Sequence, residues 1–416
     1  MKKLNQSLSR RSFLKKGSYL SLAAMGIPFI PSSLYGGISD QKTPKITRIE
    51  AIRFKNASSW TWIQLHTDQG ITGIGETYPL TNSQIGVLKD LSGMLIGKNA
   101  LEIERMWESL YKRTSFNVIG GAEMRIISAV NIAQWDILGK YLNTPVYQLL
   151  GGKVQDKIRV YNTTSGINEW ENEKDIEKIV KFLLDRGVTA MKIWPFDPVA
   201  NKNGDSYISP KEIEQCLDWV KRIRNTAGMD MEIAIEFHCH WNYPCAQRII
   251  KALEPYQVMW VEDIMLPDSV EAYARLAAET PLNICISERL ATPYQFRQLI
   301  EAKACDIVMY DVTWCGGISS ARKISDLADS FLIPSAPHTY GGPVLWYASM
   351  HLAATFNNLY IMESGYNFYS GIYNDYLSSV VVPENGFVAP PDLPGLGIEI
   401  NNKIFKNGEA SSEFFS

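Results

Sequence analysis

Three glutamates, Glu236, Glu262 and Glu288, stand 26 residues apart, and Asp311, His338 and Glu363 follow at steps of 23, 27 and 25 residues. Each closes a short apolar run, so one kind of structural unit delivers one polar side chain per repeat. Three carboxylates converging in one pocket cannot all stay ionised without a cation. An all-oxygen donor set with room for water and substrate suits Mg²⁺. A single glutamate would as readily cap a helix or pair with a lysine; three on an equal beat point to a metal centre.

Asp311 lies one unit before His338. A carboxylate on the neighbouring strand can hold an imidazole tautomer and raise its basicity, which makes His338 a candidate general base. Lys192 closes an earlier apolar run, where a cation can neutralise a substrate carboxylate oxygen. Glu363 could hydrogen-bond the same group if its own pKa is raised. Glu236-Phe237-His238-Cys239-His240 reads with strand alternation, which expects residues 236, 238 and 240 on one side. His238 would then share the pocket with Glu236 and could donate a proton to a leaving hydroxyl. A rival assignment makes His238, His240 and Cys245 a zinc site, but it leaves the evenly spaced glutamates unexplained.

The elements that position these side chains are eight short apolar runs, at 158–161, 190–193, 233–235, 259–261, 284–286, 307–309, 332–334 and 359–361. Stretches of helical spacing separate them, as at Pro210–Ala227. Eight strand–helix units in series predict an α/β fold, a (β/α)8-type barrel over residues 156–375 with its active site at the strand ends. Residues 44–155 read as an N-terminal α+β capping domain, with strands first, a hairpin turn at Asp68-Gln69-Gly70, and helices after. The segment 376–416, with Pro390-Pro391 and Pro394-Gly395-Leu396-Gly397, is expected to pack back on that domain.

Composition sets the outer bounds. With 416 residues, 46% hydrophobic and 20% charged, the chain can bury a large core. Residues 1–39 differ in texture: Ser9-Arg10-Arg11-Ser12-Phe13-Leu14-Lys15 precedes an uncharged stretch from Gly17 to Gly37. That order is expected of a twin-arginine export signal, leading to the periplasm, with a tether to the membrane if the signal is retained. Gly26, Pro28 and Pro31 interrupt the apolar run early, against a stable membrane span in the mature protein. Removing residues 1–39 takes away six basic and no acidic residues and moves the net charge from −3 to −9. A nucleic-acid partner is therefore not expected. The six cysteines form no CxxC pair and are expected to be free.

These residues, in this order, resemble the mandelate racemase/muconate lactonizing branch of the enolase superfamily. That superfamily pairs a base with bound magnesium, which is the combination read above. The resemblance spans nearly all of residues 44–400 and includes Ala133-Gln134-Trp135-Asp136-Ile137-Leu138-Gly139-Lys140 and Leu149-Leu150-Gly151-Gly152-Lys153. It also takes in Tyr310-Asp311-Val312 with Gly316-Gly317-Ile318, and Pro337-His338 with Gly342-Pro343. It implies capping-domain loops over the substrate, Mg²⁺ on Glu236, Glu262 and Glu288, a His338–Asp311 base and a homo-oligomer.

The chain departs from the family's racemases, which carry Lys-x-Lys where this sequence reads Lys192-Ile193-Trp194. The missing lysine argues against a two-base racemase. The acid-x-His order of Glu236 and His238 resembles the galactonate and mannonate dehydratases of the branch. The expected activity is thus dehydration of an aldonic or aldaric acid to a 2-keto-3-deoxy acid. Its rivals are a single-base epimerase of the same branch and a periplasmic sugar-acid binding protein without turnover. Specificity is expected from capping-domain loops near residues 60–62 and 117–123.

Overall fold

The computed structural model describes residues 43–55, 60–79, 81–116 and 120–416. The paired arginines and the apolar stretch after them lie outside the described residues. No described helix is long and apolar enough to cross a membrane.

The N-terminal part begins with three antiparallel strands, β1 (Ile46–Phe54), β2 (Thr61–Thr67) and β3 (Thr72–Thr77). The turn at 68–70 joins β2 to β3, with Gly70 at φ +74°. The helices Thr81–Leu95, Ile103–Thr114 and Gly121–Tyr141 follow. The last of these presses directly on β3. A Cβ on Gly73 or Gly75 would lie 2.1 Å from the Ala133 carbonyl oxygen or 1.9 Å from that of Ala129, so only glycine permits this approach. Near the C-terminus, strand Ala410–Phe415 pairs antiparallel with β1 and completes a four-stranded sheet.

A curled parallel sheet then runs through β4 (Ile158–Thr163), β5 (Ala190–Ile193), β6 (Glu232–Glu236), β7 (Trp260–Glu262), β8 (Ile284–Ile286), β9 (Ile307–Val308) and β10 (Met362–Ser364). Its strands are short, largely apolar and mostly buried, as parallel sheets require. Several of the outer helices are amphipathic. Pro210–Ala227 opens with a capping box between Ser209 and Glu212 and buries Ile213, Leu217, Val220 and Ile223 along one face.

The seventh and eighth strands sit later in the chain than the apolar runs suggest. Leu332 is 91% exposed with φ +59°, and pairing begins only beyond it. Ser335 bridges Val308 on one side and Leu359 on the other, and His338 bridges Asp311. Pro334 and Pro337 have no N–H to donate, so this segment closes the barrel by isolated bridges, not a continuous ladder. β10 falls at 362–364, which places Glu363 inside the strand and not at its end.

Candidate active site

Glu236 and Glu262 end adjacent strands and are paired in register. Glu288 lies two residues past β8. One carboxylate oxygen from each comes within 4.8 Å of the other two, and this is the one such cluster among the described residues. Oε1 of Glu236 accepts from the backbone N–H groups of Phe237 (3.0 Å) and His238 (2.6 Å), while Oε2 is buried with no hydrogen-bond partner among the described residues. The Trp260 indole, part of the barrel's inner core, donates to Oε2 of Glu262 at 2.8 Å. Burial pushes the Glu236 carboxyl up to about 7 and that of Glu262 well up, where Glu236 adds to the effect. Buried carboxylates facing one another, one with an orphaned oxygen, are a donor set that fits a hard divalent cation.

Lys192 Nζ sits among carboxylates, 2.7 Å from Glu262, 3.0 Å from Glu363 and 3.6 Å from Glu236. Burial opposes its charge, but Glu262 and Glu363 outweigh burial and hold the ammonium. Glu363 accepts from the Thr163 hydroxyl and from the Thr339 N–H, the latter at 2.7 Å. Burial would raise its pKa, yet Lys192, His338 and these donors win, and the pKa is lowered. The shift runs opposite to the raised pKa that Glu363 would need in order to hydrogen-bond the substrate carboxylate as a donor.

His338 Nδ1 lies 2.8 Å from Asp311 Oδ2, and Nε2 lies 2.9 Å from Glu288 Oε2. Thr313 fixes Asp311 through its N–H (2.6 Å) and its hydroxyl (2.5 Å), both to Oδ1. Burial disfavours a charged imidazole, but Glu288, Glu363 and Asp311 raise the His338 pKa well above its ordinary value. Burial likewise opposes ionisation of Glu288, and His338 with Lys192 overcomes it. The Trp314 ring packs 5.5 Å from the imidazole, and the Arg125 guanidinium lies 4.0 Å from the centroid of that same indole.

His238 reaches the same place by a different route from strand alternation. β6 ends at Glu236, and His238 (φ +47°) and Cys239 (φ +64°) turn left-handed, so the period of two stops there. The imidazole Nδ1 lies 2.6 Å from Asp197 Oδ2. His240 instead meets Asp205 at 2.9 Å, and the Cys245 thiol points to the Ser206 carbonyl. The zinc assignment therefore fails: its three side chains turn to separate partners. All six cysteines are free and buried.

A cavity of about 230 Å³ opens over these groups, lined by Lys192, His238, Glu288, His338 and Glu363, with Tyr78, Trp194 and Tyr340 among its walls. Larger hollows, of about 470 and 510 Å³, lie elsewhere and carry none of these site side chains. Trp194 occupies the place where Lys-x-Lys would put a second base. Trp60 and Trp62 do not line the cavity. Trp60 is buried against Phe368, Tyr373 and Tyr376, and the Trp62 indole donates to Glu76. Residues 117–119 lie outside the described residues. Tyr78 is the capping-domain side chain that reaches the cavity, its hydroxyl donating to the Tyr340 carbonyl at 2.7 Å.

Sequence reasoning missed Asp197, Thr313, Tyr78 and Asp263. The last is a further buried carboxylate, next to Glu262 in the chain and pushed up to about 8 by burial and then by Glu288. Thr313 could have been found, since a threonine two residues after an aspartate commonly bonds back to it. Asp197 and Tyr78 come from distant segments and leave no local signal.

Residues 42–151 match the mandelate racemase/muconate lactonizing enzyme N-terminal domain, and residues 175–404 match the enolase C-terminal domain-like family. A D-galactonate dehydratase of Ralstonia pickettii (strain 12J) is 31% identical over 372 residues, 86% of this chain and 93% of that protein. A D-xylonate dehydratase of Haloferax volcanii is 29% identical, covering 88% of each chain. The crystal structure of an enolase of the mandelate racemase subgroup from Agrobacterium tumefaciens superposes with a TM-score of 0.84 at 37% identity, over 89% of this chain and 99% of that one. With the carboxylate triad, the imidazole–aspartate pair and both domain matches in place, the chain belongs to the mandelate racemase/muconate lactonizing enzyme branch of the enolase superfamily.

Proposed function

We propose that this protein is a Mg²⁺-dependent acid-sugar dehydratase that converts an aldonic or aldaric acid to its 2-keto-3-deoxy product. The observation that carries this is the pair of imidazoles on one cavity, His338 held by Asp311 and His238 held by Asp197. Elimination needs a base for the alpha proton and an acid for the beta hydroxyl, and the cavity offers one of each. The dehydratase names of the relatives support the same chemistry.

Glu236, Glu262 and Glu288 would hold the cation, which when bound offsets the negative charge that builds on the substrate carboxylate. Lys192 supplies a fixed positive charge beside that carboxylate. Glu288 is the largest of the charges that raise the His338 pKa, a pull that would weaken with a cation held by the triad. His338 Nε2 takes the alpha proton, and the C–H electron pair moves into the substrate carboxylate to give an enediolate that reprotonation can return to substrate; its collapse toward C3 forms the new C2–C3 double bond. The beta C–O bond breaks, and the hydroxyl leaves as water with a proton from His238. The resulting enol tautomerises to the 2-keto acid. Trp194 stands in place of a second lysine, which argues against racemisation by a pair of bases of the Lys-x-Lys kind.

Export by the twin-arginine route to the periplasm belongs to the same proposal, on the strength of Arg10-Arg11 and the stretch behind them. Incubating the protein with Mg²⁺ and a panel of aldonic and aldaric acids tests the activity. Formation of a 2-keto-3-deoxy acid from at least one of them is expected; recovery of only the 2-epimer would replace dehydration by epimerisation.

A further inference from the structure

Delivering a proton to a leaving hydroxyl requires the His238 ring to hold one orientation, although its side chain is 39% exposed. The main chain around it is pinned at three points. His238 N–H donates to Glu236, the Cys239 N–H donates to the Asp263 carbonyl at 2.6 Å, and Arg289 donates to the His238 carbonyl at 3.2 Å. None of these fixes the imidazole itself. A half-exposed ring on a fixed backbone still has its side-chain rotamers to choose from.

We infer that Asp197 is the positioning residue that fixes the His238 ring for proton delivery. Asp197 Oδ2 lies 2.6 Å from Nδ1, which leaves Nε2 as the ring nitrogen with no partner among the described residues. The Trp194 ring meets the imidazole edge-on, 6.2 Å between centroids and 73° between planes, and limits its swing from the cavity side. Asp197 makes no other side-chain hydrogen bond among the described residues. It opens the short helix Asp197–Asn203, where an aspartate ordinarily caps or complements its own helix, yet its other oxygen, Oδ1, is buried and has no hydrogen-bond partner among the described residues. One carboxylate oxygen is thus committed to His238, and the other has no partner among the described residues. The segment after β5 that lacks the family's second lysine supplies both Trp194 and Asp197, so the same stretch removes one base and orients the opposite acid.

This inference rests on His238 being the proton donor, and its test separates the two. Asp197→Ala, Asp197→Asn and His238→Asn are compared, each loaded with Mg²⁺ and given a turned-over acid sugar in deuterium oxide. Asp197→Ala is expected to lower the turnover of dehydration roughly ten- to a hundredfold, as loss of an orienting partner does at other sites. KM, Mg²⁺ affinity and exchange of the substrate's alpha proton should stay at wild-type values. Asp197→Asn, which keeps an oxygen in place, should recover part of the lost rate. If Asp197→Ala dehydrates at the wild-type rate while His238→Asn does not, Asp197 has no positioning role and the donor assignment stands. If Asp197→Ala loses exchange, metal binding and dehydration together, its role is general folding and the inference is overturned. Normal dehydration by His238→Asn overturns the donor assignment and, with it, any role for Asp197 through that ring.

Discussion

Nε2 of His338 lies 2.9 Å from Oε2 of Glu288, so the nitrogen assigned to take the alpha proton faces one of the three carboxylates suited to hold a cation. Base and metal site are thereby coupled through a single contact, and the charge on Glu288 is the largest of those that keep His338 protonated.

Glu262→Gln removes one negative charge at constant size from the middle of the cluster. Divalent-metal affinity should fall by at least about tenfold, and dehydration should fall with it. Calorimetric titration with Mg²⁺ measures the first and keto-acid formation the second. Unchanged affinity and activity would remove Glu262 from the metal site. Glu262 also holds Lys192 at 2.7 Å, so the thermal stability of the variant should be measured alongside.

Gly342→Ala places a Cβ 2.1 Å from Oε2 of Glu76, a buried carboxyl pushed up to about 8 by burial. That carboxyl accepts from Trp62 Nε1 at 3.0 Å and from the N–H groups of Val344 and Leu345 at 3.2 and 3.4 Å, so it has little freedom to retreat. The substitution should cost about 1–3 kcal/mol of stability. It should also lower activity, since Gly342 begins the helix that follows His338. A denaturant midpoint unchanged from wild type would contradict the packing described.

His351 gives a pH dependence that is independent of the active site. Its Nδ1 accepts from the Tyr147 N–H at 3.2 Å and its Nε2 donates to the Leu396 carbonyl at 3.1 Å, which requires a neutral ring. Burial lowers its pKa from 6.5 to about 4. The unfolded chain therefore binds the proton first, and the contribution is full above about 6.5 and lost as pH falls toward 4. The loss is on the order of 3 kcal/mol. His351→Leu should be less stable than wild type at neutral pH but show a smaller fall between pH 6.5 and 4 in denaturant titrations. Parallel pH profiles for the two proteins would refute the assignment.

Export should depend on Arg10 and Arg11. Changing both to Lys keeps the charge and removes the guanidinium pair, and the precursor should then accumulate in the cytoplasm. Cell fractionation with immunodetection reads the outcome, and normal export of the double-lysine variant would point to another route.

The barrel was legible in the sequence because its strands are short apolar runs and its candidate site residues keep the period of one β/α unit. Glu236, Glu262, Asp311 and His338 all lie where strand ends or strand bridges place them. The beat survived even where the strand boundaries did not, since Pro334 and Pro337 displaced the seventh pairing without moving His338. His238 was placed in the cavity for the wrong physical reason: a left-handed turn, not alternation, brings it there. The sign of the Glu363 shift was illegible because it depends on Lys192 and Thr163, which are far away in the chain. Asp197 and Tyr78 were missed for the same reason, being ordinary residues until the fold sets them beside the imidazole and the cavity.

The most direct test of the two-imidazole chemistry compares His338→Asn with His238→Asn in deuterium oxide, following both 2-keto-3-deoxy product and deuterium at the substrate's alpha carbon. His338→Asn should lose both signals, because the alpha proton is never removed. His238→Asn should lose dehydration by about a hundred- to ten-thousandfold while recovered substrate still gains deuterium. Deuterium exchange that survives in His338→Asn, or normal dehydration by His238→Asn, would contradict the assignment of base and acid.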